Sequence, residues 1–217
     1  MVVGLVAMED VRNYYIDLGK TQGILPKSEC IPGENIKMGS SLKVYITKVD
    51  SNSKGPVILL SRKHYGFVKR LFELEIPEIN DGIILVYSVA REAGVRTKIA
   101  VYSENERVDA IGSCIGERGS RINRIIEELN GEKIDIIEYF KDPARFIENA
   151  LSPAKDLHVF ITDEDKKESM VIVNDENLSL AIGKKGLNVK LASRLTHYKI
   201  DVKTLEQAQQ EGINIVE

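Results

Sequence analysis

An internal repeat constrains the fold of this chain more than any other feature of its sequence. Residues 115–119 (IGERG) recur as residues 182–186 (IGKKG), at an offset of 67 residues. Apolar residues at helical spacing follow each copy, and residues 133–135 (KID) then recur as residues 199–201. Self-similarity of this kind indicates two copies of one supersecondary unit rather than a single large domain.

The loop in each copy has a specific physical meaning. Two glycines three positions apart, between two helices, permit a tight turn with positive φ. Because glycine lacks a Cβ, the turn can lie against a sugar–phosphate backbone, with its amides and the next helix N-terminus directed at the anion. KH domains hold RNA with such a GXXG loop. One copy alone is more often an ordinary turn, whereas two copies in the same context favour two KH domains.

The first third of the chain has a different character. Short runs of β-branched, aromatic or alternating apolar residues, at positions 2–7, 13–18, 42–49 and 57–61, alternate with glycine and proline. This pattern predicts a small closed β-barrel. Residues 62–75 then carry apolar side chains at helical spacing and predict a helical connector.

The charge distribution is uneven. The net charge of −3 argues mildly against a nucleic-acid-binding protein, which usually has a basic surface. However, residues 177–200 contain no acid and five basic side chains. A whole-chain sum can hide such a local field, so we predict a concentrated positive patch around the second loop.

Several functional classes find no support in the sequence. There is no HExxH, GxSxG or GxxxxGK[ST] motif, so neither an enzyme nor a cofactor is predicted. Cys30 and Cys114 are far apart and predict two buried or half-buried thiols, and three scattered histidines predict no metal site. No apolar stretch is long enough for a membrane helix and the start lacks a signal peptide, so we expect a cytoplasmic protein.

Four segments resemble one bacterial family. They are residues 71–79 (LFELEIPEI), 90–101 (AREAGVRTKIAV), 112–121 (GSCIGERGSR) and 180–192 (LAIGKKGLNVKLA). These segments, and the chain as a whole, are similar to the NusA family of transcription termination and antitermination factors. The resemblance implies that the barrel is an S1-type OB fold and that both KH domains pack together on one extended single strand of RNA. It also implies control of pausing, termination and antitermination through nascent RNA.

The resemblance also implies partners. RNA polymerase would bind through a domain ahead of the barrel, so the chain is expected to be a fragment, and other antitermination factors are further candidates. The predicted fold is thus an all-β OB/S1-like barrel followed by two tandem α+β prokaryotic-type (type II) KH domains. The predicted divisions are a barrel at 1–62, a helical linker at 63–82, KH domains at 83–140 and 141–204, and a tail at 205–217.

The two loops are predicted to be unequal RNA-binding sites. The second has lysine at both variable positions and two more basic residues at i, i+4 spacing on the next helix. In the first loop, Glu117 would repel phosphate, so we expect weaker binding there. The predicted RNA-binding residues are Gly183, Lys184, Lys185, Gly186, Asn188, Lys190, Arg194, Gly116, Arg118, Gly119, Arg121 and Arg124.

Other side chains leave alternatives open. Arg91, Arg96 and Lys98 either extend the RNA track or are solubility charges on an edge strand. Tyrosines 14, 15 and 45 of the barrel either stack on bases, as in other OB folds, or belong to the core. Two other functions are also considered: an RNA-binding module of a polynucleotide phosphorylase-like enzyme, and a protein-interaction scaffold whose loops are only turns.

Overall fold

The computed structural model describes residues 1–213, which form two compact units. The first contains residues 1–80, 93–95 and 114–133, and the second contains the remainder. The strands are β1 (Val2–Glu9), β2 (Asn13–Asp17), β3 (Gln22–Pro26), β4 (Ser41–Asn52), β5 (Gly55–Ser61), β6 (Leu85–Glu92), β7 (Arg96–Tyr102), β8 (Lys133–Glu138), β9 (His158–Asp163), β10 (Glu168–Ile172) and β11 (Lys199–Lys203). The helices are α1 (Tyr65–Glu75), α2 (Pro77–Asn80), α3 (Ala110–Ile115), α4 (Ser120–Glu128), α5 (Pro143–Ala150), α6 (Asp175–Ile182), α7 (Leu187–Thr196) and α8 (Leu205–Gln210).

The first five strands form a closed barrel in the order β1-β2-β3-β5-β4, with β4 returning to pair with β1. Each strand contributes one side chain to the buried interior: Val6, Ile16, Leu25, Val44 and Leu60. A five-stranded barrel filled by alternate side chains is the architecture of OB folds. The predicted barrel is therefore confirmed.

The four predicted strand segments do not include the third strand of the barrel, because Gly23 and Pro26 were counted among the glycines and prolines that separate strands. Gly23 instead lies inside β3 and pairs in parallel with Ile58 of β5. A Cβ at position 23 would lie 2.5 Å from the side chain of Leu60. Glycine is needed here because a neighbouring side chain fills the space, and not because the chain turns.

A buried arginine at the end of the barrel connects it to α4 within the first unit. Arg62 is 4% exposed. Its Nε donates to Glu34, at 3.0 and 3.1 Å from the two carboxylate oxygens, and its Nη1 donates to Glu128 at 2.9 Å. Nη1 also donates to the carbonyl of Lys43 at 2.6 Å, and Nη2 to the carbonyl of Glu128 at 3.1 Å. The guanidinium can be buried because two carboxylates neutralise its charge and, together with two carbonyls, accept its hydrogen bonds.

The two repeats follow the same chain order of helix, two strands, helix, loop, helix and strand. The first repeat has a sheet in the order β6-β7-β8, and the second has one in the order β11-β10-β9. In the second sheet, β10 pairs antiparallel with β9 and parallel with β11. This α+β order confirms the predicted tandem KH fold.

One hydrophobic core in the second unit joins the first sheet to the helices of the second repeat. Phe146 and Ile147 of α5 and Leu191 of α7 belong to the same buried cluster as Ala100 and Ile137 of the first sheet. Apolar burial of this kind stabilises domains too small to form large cores of their own.

An ion cluster in this unit corrects the interpretation of the first hairpin. Lys98 is fully buried, and its Nζ donates to Asp135 at 2.9 Å and to the carbonyl of Ser152 at 2.7 Å. Arg96 donates to both carboxylate oxygens of Asp135, at 2.7 and 2.9 Å. Because β7 is the central strand and these charges are paired, Arg96 and Lys98 are neither an RNA track nor edge-strand solubility charges. Both alternatives were wrong for these two residues.

The prediction for the two cysteines is also confirmed. Cys114 is buried and Cys30 half-buried, and neither forms a disulfide. Burial raises the pKa of Cys30 to about 12. The predicted tail contains α8, which begins with a capping box between Thr204 and Gln207; residues 214–217 of this tail lie outside the described residues. No helix within residues 1–213 is long and apolar enough to cross a membrane.

Candidate nucleic-acid interface

The two glycine loops have nearly the same backbone conformation. The first glycines, Gly116 and Gly183, have φ/ψ of 75°/171° and 76°/170°. The last glycines, Gly119 and Gly186, have 77°/14° and 72°/14°. The repeat in the sequence therefore reproduces one loop structure at two places in the chain.

The first glycine is required for two independent reasons. Its dihedral angles lie in a region that essentially only glycine adopts. In addition, a Cβ on Gly183 would lie 2.7 Å from the backbone nitrogen of Asn188, and one on Gly116 would lie 2.7 Å from Cγ of Arg121. The last glycine of the second loop, Gly186, faces open space and is required only by its left-handed φ.

We therefore expect different costs for alanine at the two glycines of the second loop. Gly183→Ala should lower the free energy of unfolding by about 3 kcal/mol, from backbone strain plus the clash with α7. Gly186→Ala should cost about 1 kcal/mol, since only strain opposes it. Urea unfolding of both variants measures the difference. Equal costs would show that the helix behind the loop moves aside for the added methyl group.

The second loop is open to solvent. Lys184 and Lys185 are exposed, and Lys185 itself has a left-handed φ of 55°. Gly186 donates its amide to the carbonyl of Gly183 at 3.1 Å, which closes the turn internally. The amides of Lys184 and Lys185 have no backbone acceptor among the described residues. These two N–H groups are available to an anion.

Helix α7 extends the positive surface of this loop. Lys190 and Arg194 are exposed and lie one helical turn apart, so they share a face. Within residues 1–213, neither they nor Lys184 and Lys185 form an ion pair with an acid. Of the five basic side chains in the predicted patch, these four carry charge that no carboxylate of the described chain offsets, whereas the fifth, Lys199, is paired with Glu168 at 3.3 Å.

Asn188 differs from the other predicted contact residues and needs a correction. It is 1% exposed. Its Nδ2 lies 2.9, 3.1 and 3.0 Å from the carbonyls of Leu151, Leu180 and Ala181. The last two carbonyls belong to the end of α6, where helical carbonyls lack intrahelical partners. Asn188 therefore fixes the angle between α6 and α7 and positions the loop, because its burial leaves no surface for RNA to contact.

The first loop has a different electrostatic environment. Glu117 and Arg118 are both exposed at its variable positions. Arg121, at the repeat position of Asn188, donates to Glu78 at 2.8 Å. Arg124 lies 3.5 Å from Glu75. Two arginines predicted to bind RNA are thus paired with acids of α1 and α2, which the sequence pattern did not identify.

The barrel tyrosines make contacts within the first unit. Tyr15 donates its hydroxyl to Asp10 at 2.7 Å, and this hydrogen bond raises the pKa of Tyr15. The ring of Tyr45 stacks on that of His64, with centroids 5.1 Å apart. Tyr65, which is 56% exposed and stacks on the same imidazole at 4.4 Å, was not among the sequence-based candidates. RNA contact by the barrel stays a prediction.

Taken with the barrel, these loops define a protein with an OB-type domain followed by two type II KH domains. The family models of the NusA-like first and second KH domains match residues 62–139 and 143–210. The chain belongs to the NusA family. The first match begins at residue 62, so it includes α1, which was predicted to be part of a linker.

Curated relatives give the same family. The transcription termination/antitermination protein NusA of Halalkalibacterium halodurans is 50% identical over 213 residues, which are 98% of this chain and 56% of that protein. The Bacillus subtilis protein of the same name is 49% identical over 98% of this chain and 57% of its own length. The Thermus thermophilus protein is 45% identical over 95% and 53%. The chain thus spans a little over half the length of these relatives.

Proposed function

We propose that this chain binds single-stranded RNA through its two GXXG loops, chiefly the second, and catalyses no reaction on it. One observation carries the proposal: the second loop combines a glycine-built turn and two available amides with four unpaired basic side chains. The loop conformation is fixed before binding, because Asn188 and the two glycines determine it. Little conformational entropy is then lost when a phosphate binds.

The same geometry suggests what kind of RNA is held. The amides and lysines of the loop suit phosphate oxygens, which carry no sequence information. An unpaired strand can splay its bases away from the loop, whereas a duplex keeps them stacked. We infer that the loop grips the backbone of an unpaired strand, which leaves the bases to be recognised beside it.

The biological role follows from the family. The relatives are named for transcription termination and antitermination, and the chain matches about half of each. We infer that this chain is a cytoplasmic protein that binds nascent RNA. Through this binding it takes part in the control of pausing, termination and antitermination. RNA polymerase and other antitermination factors are partners in this proposal.

Binding as a function of salt tests the proposal. The association constant K for a labelled 12-nucleotide single strand is measured by fluorescence anisotropy. Its logarithm should fall linearly with the logarithm of the salt concentration. Four phosphate contacts by the second loop predict a slope of about −3, or roughly a 50-fold loss between 50 and 200 mM salt. A duplex of the same sequence should bind more weakly. A flat salt response, or equal binding to both RNAs, would instead favour a scaffold whose loops are only turns.

A second readout separates the polynucleotide phosphorylase-like alternative. Labelled RNA incubated with the chain and inorganic phosphate should keep its length on a denaturing gel. Shortening of the strand by the purified chain would contradict a purely binding function. The order of the barrel before two KH repeats is the reverse of the order in that enzyme, which speaks for the transcription role.

A further inference from the structure

The first loop has every backbone feature of the second but not its charge. Around the second loop, Lys184, Lys185, Lys190 and Arg194 give four positive charges and no paired acid among the described residues. Around the first loop the positive charges are three, those of Arg118, Arg121 and Arg124. They are matched by three carboxylates, those of Glu117, Glu78 and Glu75. Over these named side chains, the charges sum to four positive at the second loop and to zero at the first.

Two of these acids come from outside the loop. Glu75 is the last residue of α1, and Glu78 lies in α2 immediately after Pro77. The Glu78 carboxylate accepts from Nη1 of Arg121 at 2.8 Å, and both side chains remain about 30% exposed, at 31% and 29%. Arg124 is 69% exposed and 3.5 Å from Glu75, which is 21% exposed. Both pairs are accessible to solvent, so an incoming phosphate can reach either arginine.

We propose that Glu75 and Glu78 compete with RNA phosphate for Arg124 and Arg121, and so determine the affinity and salt dependence of the first loop. This inference rests on the proposed RNA-binding function. A phosphate that binds there displaces a carboxylate that stays nearby and keeps the local charge close to zero, so fewer condensed counterions leave the RNA. The first loop then adds little to the salt dependence, which the second loop dominates.

The double variant Glu75→Gln with Glu78→Gln tests this competition. Glutamine keeps the size of the side chain and removes its charge, so that no carboxylate of Glu75 or Glu78 competes with phosphate for the two arginines. The affinity for a single-stranded RNA long enough to reach both loops should rise between about 2-fold and 30-fold at low salt, the range expected for two solvent-exposed ion pairs. The slope of log K against log salt should steepen by about 1.4, since two further phosphates are neutralised.

Helix α1 supplies a matched control. Glu73 also pairs with an arginine, Arg70, at 2.5 Å, but contacts neither arginine of the loop. Glu73→Gln removes the same charge from the same helix and should leave the salt slope unchanged. An equal rise in affinity for this variant would show a general effect of net charge and overturn the proposal.

A coupling experiment keeps the test independent of folding. In the wild-type chain, Arg121→Gln should lower the RNA affinity only slightly, because Glu78 already offsets the charge of Arg121. In the Glu78→Gln background, the same change should lower the RNA affinity by a larger factor. Equal losses in both backgrounds would overturn the competition even if the double variant unfolded. If the wild-type chain binds RNA but the slopes of all variants agree, the competition fails and the proposed function stands. If the wild type does not bind RNA at all, the proposed function itself fails.

Discussion

Replacing Lys184 and Lys185 together by aspartate lowers the affinity for single-stranded RNA about 100-fold or more, while the melting temperature changes by roughly 2 °C or less. The double change takes the local charge from four positive to zero, and the loss of two phosphate contacts flattens the slope of log K against log salt by about 1.4. The fold should tolerate it because both side chains are exposed. Aspartate also adopts the left-handed φ of position 185 more readily than most residues do.

Two comparisons make this result specific. Arg118→Asp in the first loop should cost less affinity, because the acids around that loop already offset its charge. Lys199→Asp changes a basic residue that is paired with Glu168 at 3.3 Å, away from the loop, and should have little effect. Anisotropy titrations and thermal melts are measured for all three variants. An equal or larger loss at Arg118 would reverse the ranking of the two loops.

Asp135→Asn should be the most destabilising of the conservative changes proposed for this protein. It removes the negative charge that Lys98 and Arg96 both face, and leaves a fully buried ammonium group with only neutral acceptors, the carbonyl of Ser152 and the amide oxygen of the new side chain. Removing one partner of a buried pair costs about 3–5 kcal/mol. Denaturant unfolding at pH 7 measures the loss. Asp201→Asn is the matched control at the same repeat position: its side chain is 58% exposed and its pair with Lys203 should contribute below about 1 kcal/mol.

The difference in the free energy of unfolding between the wild type and Asp135→Asn should depend on pH, because Asp135 is paired with Arg96 and Lys98. Burial alone would raise the pKa of Asp135, but hydrogen bonds from Arg96 and the charge of Lys98 outweigh it, and the pKa is lowered. A carboxyl with a lowered pKa stabilises the fold above its unfolded value of about 3.9, and this contribution is lost as the pH falls through the folded value. The wild type and Asp135→Asn should therefore converge in stability below about pH 4. A constant difference down to pH 2 would contradict the assigned ion pair.

Local sequence patterns predicted most of the helices and strands, because the formation of these elements depends mainly on residues that are close in sequence. The loops, their flanking helices and four barrel strands follow from glycine spacing and apolar periodicity alone. Strand β3 was missed because the role of Gly23 depends on Leu60, which only the closed barrel brings to it. Lys98 was misread for a related reason, since one basic residue on a strand does not indicate whether the strand lies at the edge or in the centre.

Prediction of the candidate site was limited in the same way, by contacts between residues that are far apart in sequence. Asn188 and Arg121 occupy one repeat position, and the sequence placed both among the phosphate contacts. The structure separates them, because the carbonyls at the end of α6 take up the amide of Asn188 whereas Glu78 takes up the guanidinium of Arg121. That acid lies 43 residues away along the chain. Without the fold, no spacing rule connects two such residues.

The bonds made by Arg62 bear on how this protein can be cut into smaller pieces. A fragment that begins at residue 83, where sequence patterning alone would start the first KH domain, loses the guanidinium that Glu128 accepts from, together with both acids that hold the arginines of α4. Arg121 and Arg124 beside its first loop would then lack the carboxylates of Glu75 and Glu78, which pair with them in the 217-residue chain. RNA affinities measured on such an excised piece would therefore overstate what this loop contributes in the intact molecule.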